Sequence, residues 1–373
     1  TADSFGETKN GIWIPKDTSG LTFGTNGFHL TFKDDVVSEG FNTVTFTGTG
    51  AAQSISGLGF SPALVWLKER TDADAHLWFD VVRGSNKKIY SNLTNAEYTV
   101  SDEMISFDAD GFSLGTSTTA NQNSTNFVAY SWKASGAGSS NGDGTTTSTV
   151  SVNTAAGCSL VQYAGASSAK TIGHGLGVTP DLMIVKTYSS GYEWAVYHSG
   201  LGHGKNLYLD SNGGASNTTT FWNNTAPTNQ VFSAGGQIIY TNYSGQNYIA
   251  YCFASKKGYS KIGTYTGNGS SDGTFVYTGF KPGLILVKRT DTTGNWVIED
   301  NKRIGYNELN YHLYPNLTNV EGTNYFIDQV SNGFKLRGSA GDTNASSGEY
   351  IYMAIAAEPL VANVGQSIPA TAR

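Results

Sequence analysis

The sequence has few charged residues and few prolines. Of its 373 residues, 14% are Asp, Glu, Lys or Arg and 8 are prolines, whereas an average soluble protein has about 25% charged residues. The polar surface must therefore be built mainly from Ser, Thr, Asn and Gly, which is typical of all-β proteins that work outside cells. The formal net charge is -6 with no run of Lys or Arg, which argues against nucleic-acid binding.

Long apolar segments are missing as well. No apolar run approaches the roughly 20 residues that a membrane-spanning helix needs, so we expect no membrane insertion. No signal peptide is visible, and a start at Thr1 suggests a fragment or a processed product. Cys158 and Cys252 lie in apolar, strand-like segments. Two buried free thiols are the simpler expectation, and a disulfide stays open because sequence does not give the Cα separation.

The most informative feature that is present is a sequence motif, or phrase, of 12 residues that occurs three times. GFSPALVWLKER starts at residue 59, GVTPDLMIVKTY at 177 and GFKPGLILVKRT at 279. A tryptophan follows each proline by 14 to 16 residues, and an aromatic alternating strand closes each unit. The landmarks of this threefold repeat are Pro62, Pro180 and Pro282, then Lys68, Lys186 and Lys288, then Trp78, Trp194 and Trp296.

The repeat predicts an all-β protein. Units of roughly 100 residues are too long for solenoid repeats, and each is large enough to bury its own core. The unbroken apolar run in each phrase predicts a strand covered on both faces, with proline at its start. Turn signals separate the other strands. We therefore predict three tandem antiparallel β-sandwiches, with a concanavalin-like or jelly-roll topology as the first guess.

Composition changes along the chain set the domain boundaries. Between repeats 2 and 3 only Lys256-Lys257-Gly258 intervenes, so we expect those two domains to sit nearly rigidly. In the first segment, alternation at Phe28, Leu30 and Phe32 predicts a hairpin or short sheet. The predicted parts are an N-terminal hairpin or docking segment (1–40), repeat 1 (41–134), a flexible Gly/Ser/Thr linker (135–148), repeat 2 (149–256), repeat 3 (258–360) and an extended tail (361–373).

Patterns that would carry catalysis or hold a metal have simpler explanations. DADG at 108–111 lacks the bidentate Glu of a calcium loop and is better read as a β-turn. His174, His198 and His203 have no cysteine near them in the sequence. There is no nucleophile elbow and no phosphate-binding loop with its lysine. We therefore predict no enzyme activity, no metal and no cofactor.

The repeated lysines and tryptophans are predicted to be structural, because a binding role would require three equivalent pockets. We expect the lysines to form strand-end ion pairs that also blunt edge pairing, and the tryptophans to anchor the core. For recognition the best candidates are aromatic residues in polar loops of repeat 2, where ring faces could meet sugar C–H groups. These are Tyr192, Trp222 and Tyr243. The alternative is that they pack on a neighbouring domain or subunit.

The segment GIWIPKDTSGLTFGTNGFHLTFKDD, followed by the first repeat, resembles the fibre and appendage proteins of tailed phages that infect marine bacteria. The resemblance covers nearly the whole chain, is strongest over residues 5–135, and rests on structural motifs. Repeat 2 departs most, at Thr179-Pro180-Asp181 and Tyr188. The resemblance implies an extracellular virion protein, homotrimeric, that displays β-sandwich modules. Its implied partners are other virion proteins and a host-surface glycan or receptor.

Three alternatives remain. A capsid decoration or head-fibre protein would differ only in its location on the particle. A secreted carbohydrate-binding module or glycan-degrading enzyme would be a monomer, and the enzyme would need two carboxylates about 5–10 Å apart in one cleft. A bacterial surface adhesin would carry a secretion signal.

Overall fold

The computed structural model describes residues 6–9, 12–15, 40–305, 307–325 and 327–357, which belong to two compact units that divide after residue 36. The first unit contains an antiparallel hairpin of β1 (Gly6–Lys9) and β2 (Ile12–Pro15). The predicted alternation at Phe28, Leu30 and Phe32 and the predicted tail 361–373 lie outside the described residues.

The second unit contains all three repeats. The elements of repeat 1 are β3 (Phe41–Thr47), β4 (Gln53–Ser56), β5 (Leu64–Glu69), β6 (Leu77–Asp80), β7 (Gly84–Tyr90), β8 (Tyr98–Thr99), β9 (Met104–Asp108), β10 (Gly111–Leu114), α1 (Thr118–Asn121) and β11 (Asn126–Trp132). They form a large sheet in the order β3-β11-β5-β6-β7-β8 and a small sheet in the order β4-β10-β9.

Repeat 2 and the segment before it form β12 (Ser139–Asn141), β13 (Ser148–Asn153), β14 (Cys158–Ala164), β15 (Lys170–Gly173), β16 (Leu182–Thr187), β17 (Ala195–His198), β18 (Lys205–Tyr208), β19 (Ser216–Asn217), β20 (Val231–Ala234) and β21 (Asn247–Phe253). The large sheet has the order β12-β13-β14-β21-β16-β17-β18-β19, and the small sheet pairs β15 with β20.

Repeat 3 consists of β22 (Ser260–Thr266), β23 (Phe275–Tyr277), β24 (Pro282–Arg289), β25 (Trp296–Asp300), β26 (His312–Leu313), β27 (Ile327–Val330), β28 (Gly333–Leu336), α2 (Gly341–Asn344) and β29 (Glu349–Ala356). Its sheets are β22-β29-β24-β25-β26 and β23-β28-β27. The same strand order recurs in all three large sheets, and the predicted all-β fold with antiparallel sandwiches is confirmed.

Each large sheet is buried on both faces. One face packs on the small sheet of its own repeat and forms a private core. The opposite faces of the three large sheets meet in one shared core, where Trp66, Ile184 and Leu286 occupy matching positions. This explains why the repeated strands β5, β16 and β24 are apolar without alternation. The three sandwiches are therefore parts of one body.

The segment expected to be a flexible linker is tied to repeat 2. Strand β12, inside residues 135–148, pairs with β13, which extends the large sheet beyond β14. The Thr146 amide donates to the carbonyl of Thr171. Strand propensity depends strongly on context, and here pairing with β13 orders a segment whose composition is that of a flexible tether.

The two cysteines are free and buried. Register places Cys252 opposite Ser159, one residue away from Cys158. Successive strand residues point to opposite faces, so Cys158 lies in the shared core and Cys252 in the private core of repeat 2. That separation excludes a disulfide between them, and burial raises the pKa of both thiols.

Register also corrects the alignment of the tryptophans. The residues opposite the first leucine of each repeated strand are Asp80, His198 and Asp300. Four residues earlier stand Trp194 and Trp296 in repeats 2 and 3, but His76 in repeat 1. Trp78 therefore lies two residues further along the strand, in the shared core, with its ring centroid 5.3 Å from that of Trp194.

Candidate functional site

Three backbone hydrogen bonds join the repeats in a ring. Each accepting carbonyl belongs to the residue two positions after a landmark lysine. The bonds run from Glu97 N to Tyr188 O, from Ala215 N to Thr290 O and from Glu321 N to Arg70 O, at 2.9, 2.8 and 2.9 Å. Repeat 2 thus contacts repeat 1, repeat 3 contacts repeat 2, and repeat 1 contacts repeat 3, as in an approximate threefold rotation. We call these contacts the 2–1, 3–2 and 1–3 seams.

Two buried tryptophans reinforce this ring. Trp194 Nε1 donates across the 2–1 seam to Tyr90 O at 3.0 Å, and Trp296 Nε1 donates across the 3–2 seam to Tyr208 O at 2.9 Å. At the 1–3 seam His76 stands in the tryptophan position. The indoles therefore tie one repeat to the next as well as filling the core.

The landmark prolines and lysines are buried too. Pro282 is the first residue of β24, and the other two prolines precede their strands by two residues. We expected the lysines to form strand-end ion pairs, but they donate to backbone carbonyls. Lys288 Nζ reaches Gly294 O at 2.7 Å and, across the seam, Asn212 O at 3.2 Å. Lys186 Nζ similarly reaches Thr94 O of repeat 1 at 2.8 Å.

Burial lowers the pKa of all three lysines to about 8. They therefore stay protonated at neutral pH, which their bonds to carbonyls require. Lys186 and Lys288 each donate to loop carbonyls of their own and the preceding repeat, whereas Lys68 donates to Glu69 O and Asp72 O of its own repeat. A buried ammonium that satisfies loop carbonyls explains why the same residue recurs at three equivalent strand ends.

At the 1–3 seam the contact is a buried charged network. Tyr130 of repeat 1 donates its hydroxyl to Asp300 Oδ2 at 2.8 Å. Arg303 binds the same carboxylate and also reaches Glu321 at 3.0 Å. Arg70 of repeat 1 clamps Glu321 with two hydrogen bonds, of 2.8 and 2.9 Å. Although burial opposes it, the Arg303 guanidinium holds the pKa of Asp300 below its usual range.

The 2–1 seam repeats most of this arrangement. Tyr251 of repeat 2 donates to Asp80 Oδ2 at 2.8 Å, and Arg83 binds that carboxylate at 2.6 Å. Arg83 in turn reaches Glu97 at 3.0 Å. Tyr188 stands where the 1–3 seam has an arginine, and Glu97 pairs instead with Lys87 of its own repeat, at 3.4 Å.

The 3–2 seam has none of these groups. The four matching positions hold an apolar or neutral set: Met353, His198, Leu201 and Ala215. Gly200 N donates to His198 Nδ1 at 3.0 Å. Burial lowers the pKa of His198 to about 4, against a smaller opposing effect of the Tyr352 backbone, so this ring is neutral at pH 7.

The three predicted ligand contacts are placed differently from one another. Tyr192 and Tyr243 are 38% and 39% exposed. Trp222 is completely buried, and its ring packs edge-on against Tyr197 with the centroids 5.7 Å apart. The positive φ angles at residues 223–224 turn the chain back and leave Trp222 inside. Trp222 therefore offers no ring face to a ligand.

A more exposed aromatic pair lies on repeat 3 and was missed in the sequence. Phe275 and Tyr277 are 46% and 58% exposed on the edge strand β23. Strand β23 pairs with β28, which reads GFKL, just as β4 of repeat 1 pairs with β10, which reads GFSL. In this alignment Ser54 and Ser56 of β4 occupy the positions of Phe275 and Tyr277. Alternation in FVY, two aromatics flanking an inward valine, is the signal that would have revealed them.

Charged side chains surround this pair, which we call the aromatic face. Lys335 lies directly across the strand from Phe275 and pairs with Asp272 at 2.6 Å. On the same sheet Arg337 pairs with Asp328 at 2.7 Å. The face therefore offers two rings beside several hydrogen-bonding groups. A flat apolar ring with donors and acceptors at its rim is the arrangement that suits a sugar.

The carboxylates next to the third tryptophan do not form a cleft. Asp300 belongs to the 1–3 seam, and Glu299 is completely buried in repeat 3, where burial raises its pKa well above its usual range. Within the described ranges, no three His, Cys, Asp or Glu side chains are placed to hold a metal ion. None of the described helices is long and apolar enough to cross a membrane.

The fold and these surfaces define an all-β protein of three sandwiches packed around a common core. The chain belongs to the family described as a domain of unknown function, DUF7483, whose model matches residues 36–359. The matched range contains all three repeats, as expected if they form one body. No curated protein matches the sequence.

Proposed function

We propose that this protein is a structural and adhesive virion component, a phage tail fibre or appendage that attaches to a host-surface glycan. The observation that carries the attachment role is the aromatic face. Repeat 1 has the same strands with Ser54 and Ser56 in place of the two rings, so the fold does not need them. Exposed rings on an edge strand also carry a risk of aggregation, which favours a binding role over a structural one.

The chemistry of the aromatic face suits a sugar ring. The C–H groups of one side of a pyranose are apolar and pack on Phe275 and Tyr277. Its hydroxyl groups then meet Lys335 and its carboxylate partner at the rim. Tyr192 and Tyr243 in repeat 2 offer further, smaller contact areas. Because the rings stand on paired strands, little conformational entropy is lost on binding.

The rigid body suits the structural part of the proposal. Three sandwiches that share one core hold their outer surfaces in fixed positions, as a spacer or display module requires. The homotrimer implied by the resemblance stays a prediction. The ring of three seams already provides a threefold arrangement within one chain, so light scattering, which measures the solution mass, is the direct check.

A glycan array tests the attachment role. We expect the wild-type protein to bind a subset of glycans, and the double variant F275S/Y277S, which copies repeat 1, to lose about tenfold or more in affinity. The matched control is Ile105→Ser, which removes a 47% exposed apolar side chain from repeat 1 and should bind as wild type does. Equal binding by the double variant and the wild type would reject the aromatic face.

The same face suits a secreted carbohydrate-binding protein. Antibody labelling of purified particles separates the two: labelled tails support the fibre, labelled heads support a decoration protein, and unlabelled particles support the secreted protein.

A further inference from the structure

A small cavity lies where the three repeats meet at one end of the shared core. Its walls include Trp132 of repeat 1, Cys158 and Phe253 of repeat 2, and Tyr259 and Ile355 of repeat 3. Trp132, Phe253 and Ile355 occupy equivalent positions, opposite the first leucine of each repeated strand. The space therefore arises because Ile355 is smaller than the aromatic side chains at the two equivalent positions.

Two of the residues that line this cavity each carry a buried hydrogen-bond donor without a partner among the described residues. The donors are Nε1 of Trp132 and the hydroxyl of Tyr259, whose residues are 2% and 6% exposed. An unpaired buried donor costs about 1–3 kcal/mol, and buried polar groups almost always find a protein or water partner. Two such donors at one cavity point to a bound acceptor.

The position of the Tyr259 hydroxyl is fixed by its neighbours. A Cβ atom on Gly40 would come within 2.3 Å of the hydroxyl oxygen, and one of the next contacts would be the Ala156 methyl group, at 2.6 Å. Glycine at position 40 is thus required for the ring to lie there. Tyr259, at the entry to repeat 3, is wedged between Gly40 of the repeat 1 end and Ala156 of repeat 2, so its hydroxyl has little freedom to move.

The size of the cavity limits what the acceptor can be. It has room for about one water molecule. Most of the remaining lining is apolar, and the Ser260 hydroxyl is already used because it donates to Ala254 O at 3.2 Å. The Cys158 thiol is the additional weak partner that a buried water could use.

We propose that one ordered water molecule occupies this cavity, accepts a hydrogen bond from Trp132 Nε1 and bonds to the Tyr259 hydroxyl. It links the end of repeat 1 to the beginning of repeat 3, which are separated in the chain by the whole of repeat 2. The indoles of Trp78 and Trp222 are also buried and have no hydrogen-bond partner in the part of the chain that the structure describes, but they do not line the cavity, so this water site is particular to Trp132.

A high-resolution crystal structure of the full chain tests the proposal directly. We expect density for one water within about 2.7–3.2 Å of both Trp132 Nε1 and the Tyr259 oxygen. In the variant Tyr259→Phe that density should be lost or displaced. An empty cavity in the wild type, or a direct bond between the two side chains, would overturn the proposal.

A double-mutant cycle provides a second readout. Trp132→Phe and Tyr259→Phe should each raise the equilibrium constant for unfolding by about fivefold to tenfold. The double variant should cost much less than the product of both factors, because the two groups share one water. Fully multiplicative effects would show that the two side chains act independently and would contradict a shared water.

Discussion

The 1–3 and 3–2 seams occupy equivalent positions, yet they are held together by different interactions. At the 1–3 seam Tyr130, Asp300, Arg303 and Glu321 form a buried charged network. At the 3–2 seam all of the corresponding groups are apolar or neutral. All four members of the charged network are replaced together, which fits the energetics of buried charges. A satisfied network and a well-packed apolar contact are of similar stability, whereas a network with one member missing is strongly unfavourable.

The two seams also differ in how the chain joins them. Repeats 2 and 3 are consecutive: β21 ends at Phe253 and β22 begins at Ser260. Repeats 1 and 3 are separated by all of repeat 2, so only noncovalent contacts close the ring. The richest network, which includes the two hydrogen bonds from Arg70 to Glu321, lies at the seam that the chain connects least directly. Directional charged contacts can fix which repeat meets which.

The largest effect is expected from removing one member of the charged network. Asp300→Ala removes the acceptor of the Tyr130 hydroxyl and one of the two carboxylates that bind the buried Arg303, and we expect a loss of about 3–5 kcal/mol in the free energy of unfolding, measured in urea. The control is Asp291→Ala, which breaks the more exposed pair with Arg289 and should cost less than about 1 kcal/mol. If both variants lost the same amount, the buried network would not be what stabilises this seam.

Acid should weaken the 3–2 seam through His198. The pKa of His198 is about 4 in the folded state and about 6.5 in the unfolded state. As pH falls from about 6.5 to about 4, the unfolded state takes up this proton first, so about 3 kcal/mol of stability is lost. At the 1–3 seam, Asp300 with its lowered pKa loses its contribution only below about pH 3.9. His76 of the same seam, whose pKa burial lowers well below its usual range, begins to cost stability below about pH 6.5, as His198 does.

The variant His198→Gln isolates that effect. Its free energy of unfolding, measured by urea titration at several pH values, should fall less steeply than that of the wild type between pH 6.5 and 4. Parallel profiles for the two proteins would mean that His198 does not titrate in the seam.

The smallest effect is expected from a single hydroxyl. Tyr251→Phe removes the hydrogen bond to Asp80 and should cost about 1–2 kcal/mol. At the equivalent position of the apolar seam, Met353→Leu conserves volume and should cost less than about 1.5 kcal/mol. Thermal unfolding of both variants compares the seams position by position, and a larger cost for Met353→Leu would reverse the comparison.

Local structure could be predicted from the sequence, because a strand covered on both faces reads as an unbroken apolar run. The repeated phrase identified β5, β16 and β24, and the equivalent lysines indicated a shared structural task. For Lys186 and Lys288 the direction toward backbone carbonyls was not predictable, because some of the accepting loops, such as the one at Thr94, lie in another repeat.

The assembly around the axis could not be predicted from one sequence. Tyr130 and Asp300 are 170 residues apart, and Tyr251 and Asp80 are 171 apart. Separations of this length carry no periodic signal that shows which surfaces meet. Trp222 was misjudged for a related reason: its loop looks polar, and only the turn that follows it shows that the ring points inward.

Differential scanning calorimetry tests the central claim, that the three repeats form one body around a shared core. We expect a single unfolding transition for residues 40–357, with a calorimetric enthalpy close to the van't Hoff enthalpy, as expected for a cooperative unit. Asp300→Ala should lower the midpoint of that whole transition. Separate transitions, or a calorimetric enthalpy about three times the van't Hoff value, would show three independent sandwiches and contradict it.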